Sequence, residues 1–192
     1  MTKERSINRL ARAARLSGKL TAAVAGLGLL LGSGLSAQAE GGNDNRAPEV
    51  PGTIAVPDHT KVHFHGLGIG VQIYTWDGLS WGAAVPRAKL YDSDGNIVAD
   101  HFAGPTWVSN SGSRVVGTLD PPPLKATVDT NSIPWLRLTA LSSEGPGIFA
   151  DTTFIQRVNT VGGKAPGTNG TFLGQVAEMP YVADYYFFRR SN

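Results

Sequence analysis

Between residues 61 and 188 the chain alternates short apolar segments with clusters of turn residues. The apolar segments are rich in Val, Ile, Tyr, Phe and Trp, and Gly, Pro, Asp and Asn separate them about every ten residues. No window in this region keeps a helical apolar period for three turns, and the 12 Pro and 24 Gly of the chain would interrupt one. The pattern predicts an all-β domain with at most one short helix.

Seven strands and two hairpin turns follow from this pattern. The clearest strand is 69–76, where side chains alternate between two faces before the turn at Asp77 and Gly78. The turn 92–96 joins two further strands and uses Gly95 for a positive φ. The other predicted strands are 87–91, 97–103, 114–119, 135–141, 148–158 and 181–188. We expect a single antiparallel β-sandwich, with a closed β-barrel as the alternative.

The first 39 residues have the pattern of a secretion signal. An uncharged apolar stretch, 20–35, follows a basic start, and Ala37-Gln38-Ala39 matches the small-x-small cleavage pattern. The stretch is shorter than the roughly 20 apolar residues of a membrane span, which favours a cleaved signal over the alternative of an uncleaved anchor. We therefore predict a cleaved signal peptide (1–39), a flexible leader (40–57), a single β domain (58–192) and a periplasmic or extracellular location. The basic residues of the start are Lys3, Arg5, Arg9, Arg12, Arg15 and Lys19.

Removing the signal changes the charge of the protein. Six of the 17 basic residues but only one of the 15 acidic residues precede Glu40, which leaves 11 basic and 14 acidic residues in the mature chain. A net charge of −3 gives no support for a nucleic-acid partner. The mature chain contains no apolar run long enough for a membrane span, and the absence of Cys excludes disulfides.

Aromatic and polar residues inside the predicted strands are candidates for binding a carbohydrate or small ligand. Tyr74 lies in the first strand, and a Gly-Pro turn places His101 close to Trp107. Gln156, Arg157 and Asp184 interrupt apolar strands, where buried polar groups need partners. They form either an Arg157–Asp184 ion pair, with Gln156 bonded to a loop carbonyl, or part of a pocket.

His63 and His65 are candidates for a metal site. Residues two apart on a strand share a face, so the two imidazoles suit Zn or Cu. The alternative is that they form the polar face of an edge strand while Val62 and Phe64 fill the core. No cofactor is predicted, and Zn or Cu enters only with this metal-site hypothesis.

Five sequence blocks in fixed order resemble a known family. They are GVQIY (70–74), HFAGPTW (101–107), IPWL (133–136), FIQRVNT (154–160) and ADYYF (183–187). Together they resemble the secreted bacterial and fungal proteins catalogued as domain of unknown function 3455. The resemblance implies no established activity, although some fungal relatives carry the label malate dehydrogenase.

The sequence does not support that enzymatic label. A dinucleotide-binding dehydrogenase needs a strand, a Gly-rich turn and a helix, whereas the Gly-rich segment 66–70 leads into a strand. The chain also has no Cys nucleophile and no Gly-x-Ser-x-Gly motif. We interpret the domain as a non-catalytic binding module for a carbohydrate or small ligand. The alternatives are a metal-dependent oxidoreductase or hydrolase using His63 and His65, and a structural surface protein without a small ligand.

Overall fold

The computed structural model describes residues 46–191, and this part of the chain is built from antiparallel strands. One short 3-10 helix, Gly52–Ile54, precedes them. The strands are β1 (Thr60–Thr75), β2 (Val85–Tyr91), β3 (Ile97–Phe102), β4 (Thr106–Ser109), β5 (Arg114–Thr118), β6 (Lys125–Ala126), β7 (Trp135–Glu144), β8 (Phe154–Gly162) and β9 (Val176–Arg190). The all-β prediction is confirmed.

Eight of these strands close into a barrel. The sheet runs in the order β5-β4-β3-β2-β1-β9-β8-β7-β6, and a further pairing joins β5 to β7. That pairing extends from Arg114 opposite Glu144 to Thr118 opposite Thr139, and β6 adds to β7 outside the closed ring. Of the two predicted architectures, the closed barrel is therefore observed and the two-layer sandwich is not.

The inward-facing positions in the middle of strand β1 are glycines. Gly66, Gly68 and Gly70 point inward, while Leu67 and Ile69 between them are 37% and 43% exposed on the outer wall. A Cβ atom at Gly68 would lie 2.5 Å from the Tyr185 ring, so the glycine makes room for that aromatic side chain. The Gly-rich segment thus serves packing inside the barrel.

Aromatic rings fill the space that these glycines leave. Phe187 is fully buried and packs against Trp107 and Phe149, with ring centroids 5.6 and 4.7 Å apart. Phe149 reaches this core from a turn that precedes β8. Strand β8 therefore begins at Phe154, later than the strand start predicted at residue 148.

Residues 46–57 lie in the predicted flexible leader, yet part of this segment packs on the barrel. Ile54 is fully buried, its carbonyl accepts a hydrogen bond from Gln156 Nε2 at 2.7 Å, and the carbonyl of Ala55 accepts one from Arg137. The predicted signal and residues 40–45 lie outside the described part of the chain. Within residues 46–191, no helix has the length and apolar character to cross a membrane.

The predicted turn between the second and third strands is confirmed. Asp92 Oδ1 accepts hydrogen bonds from the backbone N–H groups of Asp94 and Asn96, and Gly95 has a φ of 80°. These bonds hold the pKa of Asp92 below its usual range, mainly through the Asn96 N–H.

Candidate functional site

A polar cluster lies inside the barrel, on the inner face of the neighbouring strands β8 and β9. Arg157 and Tyr185 are paired in register on the inner face, and the Tyr185 hydroxyl lies 3.0 Å from that of Tyr181. Tyr181 also contacts the side chain of Gln72, which is only 1% exposed. Burial raises the pKa of both tyrosines, so their hydroxyls stay protonated at neutral pH.

His101 and Trp107 form the aromatic side of this cluster. Their rings are stacked with centroids 4.2 Å apart, and both rings meet the Tyr185 ring edge-on. His101 Nδ1 donates to the carbonyl of Thr106 at 3.0 Å, and burial lowers the pKa of His101 to about 3. His101 is therefore a neutral, packed side chain at physiological pH.

Several buried donors in the barrel lack an acceptor. Gln72 Nε2, Trp107 Nε1 and Arg157 Nε have no hydrogen-bond partner, and Arg157 Nη2 donates to the carbonyl of Pro134 at 2.9 Å. Among residues 46–191, no carboxylate forms an ion pair with Arg157. The interior thus has an excess of donors and an uncompensated positive charge.

A pocket of about 320 Å³ opens beside this cluster at one end of the barrel, and we call it the mouth pocket. Tyr74 forms part of its wall and donates its hydroxyl proton to the carbonyl of Gly163 at 2.7 Å. Burial raises the pKa of Tyr74, against the opposing effect of the Arg157 charge. The lining residues are Tyr74, Thr127, Thr130, Ser132, Ile133, Pro134, Lys164 and Ala165.

The backbone at Gly163 connects the pocket to the polar interior. Gly163 has a φ of 77°, and a Cβ atom there would lie 2.8 Å from Tyr181 Cβ and 3.2 Å from Gln72 Cγ. Glycine is therefore required both for the backbone conformation and for space. Pro134 provides a second connection, because it lines the pocket and accepts the Arg157 hydrogen bond.

The predicted ligand-binding residues divide between the two faces of the barrel. Tyr74 lines the mouth pocket, Arg157 lies behind its wall, and His101 and Trp107 are packed deeper in the interior. Gln156 and Asp184 face outward, since their neighbours Arg157 and Tyr185 face inward and alternate side chains point to opposite faces. The six residues do not converge on one cavity.

Asp184 has partners on the outer wall. His65 Nε2 lies 3.0 Å from Asp184 Oδ1, Asn159 Nδ2 donates to Asp184 Oδ2 at 2.8 Å, and His65 stacks on Tyr186. Burial acts to raise the pKa of Asp184, but these hydrogen bonds outweigh it and the net shift is downward. The predicted Arg157–Asp184 ion pair is therefore wrong. Gln156 does bond to a backbone carbonyl, as predicted, but this carbonyl belongs to Ile54 at the end of the 3-10 helix and not to a loop.

His63 and His65 bond to different partners. His63 Nε2 lies 3.1 Å from Thr152 Oγ1, and burial lowers the pKa of His63 to about 4. The segment of β1 before Leu67 pairs with β9 alone, and Val62 and Phe64 are buried there, as the edge-strand alternative predicts. In the described part of the chain, no group of three or more His, Cys, Asp or Glu side chains is arranged to hold a metal. Zn or Cu binding at His63 and His65 stays a hypothesis, the alternative to a protein without a cofactor.

A larger groove, of about 800 Å³, lies on the outer wall across β1 to β4. Its apolar residues include Ile69 and Phe102, which are 43% and 40% exposed. Its charged side chains are paired, because Lys89 bonds to Asp100 at 2.5 Å and Arg87 bonds to Glu178 at 2.6 Å. The charged residues that line the groove therefore leave no unpaired charge that would indicate which kind of ligand it binds.

Sequence reasoning missed several residues around the mouth pocket. Gln72 interrupts an apolar strand as Gln156 does, so the same signal could have identified it. Lys164, Thr130 and Ser132 lie on loops, and no local pattern shows that these loops meet over the end of the barrel.

A family model described as a protein of unknown function, DUF3455, matches residues 57–189. The chain belongs to the DUF3455 family. The resemblance drawn from the five sequence blocks is thereby confirmed. The DUF3455 match covers nearly all of the barrel, from just before β1 to the penultimate residue of β9. No curated protein and no solved structure matches this DUF3455 chain.

Proposed function

We propose that this DUF3455 protein is an exported, non-catalytic binding module that holds a carbohydrate or other small ligand in the mouth pocket. The observation that carries the proposal is the arrangement of a pocket of about 320 Å³ over a buried layer of unpaired donors. Small-ligand sites have volumes from about 300 Å³ upward and combine apolar walls with a few polar groups. The pocket is at the lower end of this range, which suits a ligand the size of one sugar ring.

The lining residues favour binding over proton transfer. Thr127, Thr130 and Ser132 offer hydroxyl groups, and Ile133 and Pro134 supply apolar wall. The lining contains no His, Asp or Glu, the residues that most often act as general acids or bases. Hydroxyl groups beside an aromatic side chain match the alternating polar and apolar surfaces of a sugar.

The proposed location follows from the predicted signal peptide. Cleavage after Ala39 would leave a mature chain that includes the whole barrel. Such a protein would encounter its ligand in the periplasm or outside the cell.

A glycan array and ligand-induced changes in Trp fluorescence test the proposal. Trp135 directly follows Pro134 of the pocket wall, so a bound ligand should alter its emission. The Ala165→Trp variant should fill the pocket and abolish binding. Ala83→Trp, on an exposed loop residue that does not line the pocket, is the matched control. A flat response in both assays, or unchanged binding by Ala165→Trp, would refute the proposal and favour a structural surface protein.

A further inference from the structure

We infer that the ligand of the mouth pocket carries an anionic group, which Lys164 and Arg157 recognise. This inference rests on the proposed function and specifies the chemistry of the ligand. It follows from the charge of the lining, the charge behind the pocket wall and the unpaired hydrogen-bond donors near the pocket.

The first step is the charge of the lining itself. Lys164 is the one charged residue among the eight that line the pocket. Its Nζ donates to the carbonyl of Thr130 at 2.6 Å, which holds the ammonium group against a second lining residue. Hydrogen bonds from Ser132 Oγ at 2.6 Å and the Asn131 N–H at 2.9 Å lower the pKa of the nearby Asp129 carboxylate, and the Lys164 charge adds to this shift. An ammonium group has three N–H donors and one of them bonds to Thr130, so Lys164 retains donor capacity toward the pocket.

The second step is the positive charge behind the wall. Arg157 occupies an inward position on β8, and its Nη2 donates to Pro134 of the pocket lining. The Arg157 charge acts on Tyr74, another lining residue, as well as on Tyr181 and Tyr185. A guanidinium group partly removed from water and facing no carboxylate is stabilised by any anion that reaches its field.

The third step is the surplus of donors. Arg157 Nε and Gln72 Nε2 are buried without acceptors, and Gln72 lies next to Gly163, whose carbonyl holds Tyr74 at the pocket. Carboxylate, phosphate and sulfate groups carry only acceptor oxygens at neutral pH. A donor-rich, positively charged site is complementary to such groups and discriminates against neutral ligands of the same shape.

Calorimetric titration with matched sugar pairs tests this inference. The probes are glucuronate against glucose and galacturonate against galactose, because each pair differs mainly in the carboxylate. We expect at least one acid to bind about tenfold more tightly than its neutral partner, the ratio that one charge-assisted hydrogen bond supplies. The ratio should fall as salt is raised, since Lys164 is exposed.

Two sets of variants separate the contributions of the cations. Lys164→Gln should remove most of the preference for the acid, whereas Lys61→Gln, an exposed cation at the start of β1, should leave it unchanged. Arg157→Lys should retain part of the preference, and a folded Arg157→Gln variant should lose it. If Arg157→Gln does not fold, the exposed Lys164→Gln variant still decides the question.

The outcomes distinguish the two proposals. Tighter binding of an acid that depends on Lys164 supports both. Equal or tighter binding of the neutral sugars, abolished by Ala165→Trp, overturns the anion inference and leaves the proposed function intact. Failure of all four sugars to bind, together with a flat glycan array, overturns both.

Discussion

The inward glycines of β1 give a graded test of how tightly the barrel is packed. A Cβ atom at Gly70 would lie 2.2 Å from the carbonyl oxygen of Arg87 and 2.5 Å from Ala88 Cα, both in the backbone of β2. At Gly68 it would lie 2.5 Å from the Tyr185 ring, and at Gly66 it would lie 3.2 Å from the Phe64 ring. Ordinary contacts begin at 3.4 Å, so the required displacement decreases along this series.

The cost of each Gly→Ala substitution follows from what has to move. At Gly70 the obstacle is a neighbouring strand, whose spacing of about 4.8 Å is fixed by hydrogen bonds, so we expect a loss of about 3 kcal/mol or more. At Gly68 the Tyr185 ring must shift while it is held against His101 and Trp107, which gives about 1–3 kcal/mol. At Gly66 a small rotation of Phe64 relieves the contact, so the loss should stay below about 1 kcal/mol.

Urea unfolding followed by Trp fluorescence measures these differences. The unfolding midpoint should fall in the order Gly66→Ala, Gly68→Ala, Gly70→Ala at an unchanged slope with denaturant. Gly167→Ala is the control, because nothing lies within 4 Å of its Cβ position and a change within about 0.5 kcal/mol is expected. A Gly70→Ala midpoint equal to that of the control would refute the proposed packing of β1 against β2.

Three further predictions concern pH, metals and processing. Since burial lowers the pKa of His101 to about 3, the unfolded chain binds more protons than the folded one between about pH 6.5 and pH 3. The unfolding constant should therefore rise up to about tenfold per pH unit on acidification through this range. In acid titrations of stability, the His101→Gln variant should lose stability less steeply with falling pH than the unmodified protein. An equal steepness in both proteins would contradict the buried, neutral state of His101. Elemental analysis of protein purified without chelators should find well under one equivalent of Zn or Cu, because His63 and His65 bond to separate side chains, and a stoichiometric metal that His63→Ala removes would reverse this expectation. Intact mass of the exported protein should correspond to an N-terminus at Glu40, and recovery of the full-length chain alone would count against the signal peptide.

Local patterns in the sequence were sufficient for the fold class. Alternation in residues 69–76 and the Asp92 turn are each determined by neighbouring residues, and both are present in the structure. The choice between sandwich and barrel depends on the pairing of β5 with β7, from Thr118 opposite Thr139 to Arg114 opposite Glu144, which side-chain alternation does not specify. Alternation also does not say which face is inside, and here glycines face inward while Leu67 and Ile69 face outward.

The candidate site was only partly predictable, because side-chain direction and contacts between distant segments also determine which of its residues meet. Adjacent residues on a strand face opposite ways, so Gln156 and Arg157 could not both face one pocket. That limit was available from the sequence. The meeting of Lys164 with Thr130 over the barrel end depends on two loops from distant parts of the chain, and nothing local encodes it.

The pairing of β1 with β9 has a consequence for when the protein can fold. The first barrel strand is hydrogen-bonded along nearly its whole length to the last, with Thr60 opposite Arg190 and Thr75 opposite Val176. A chain synthesised only as far as β8 has no partner for that side of β1, so the ring can close only after residues 176–190 have been added. Until then the backbone N–H and C=O groups on that side of β1 have no strand to bond to, so β9 completes the barrel.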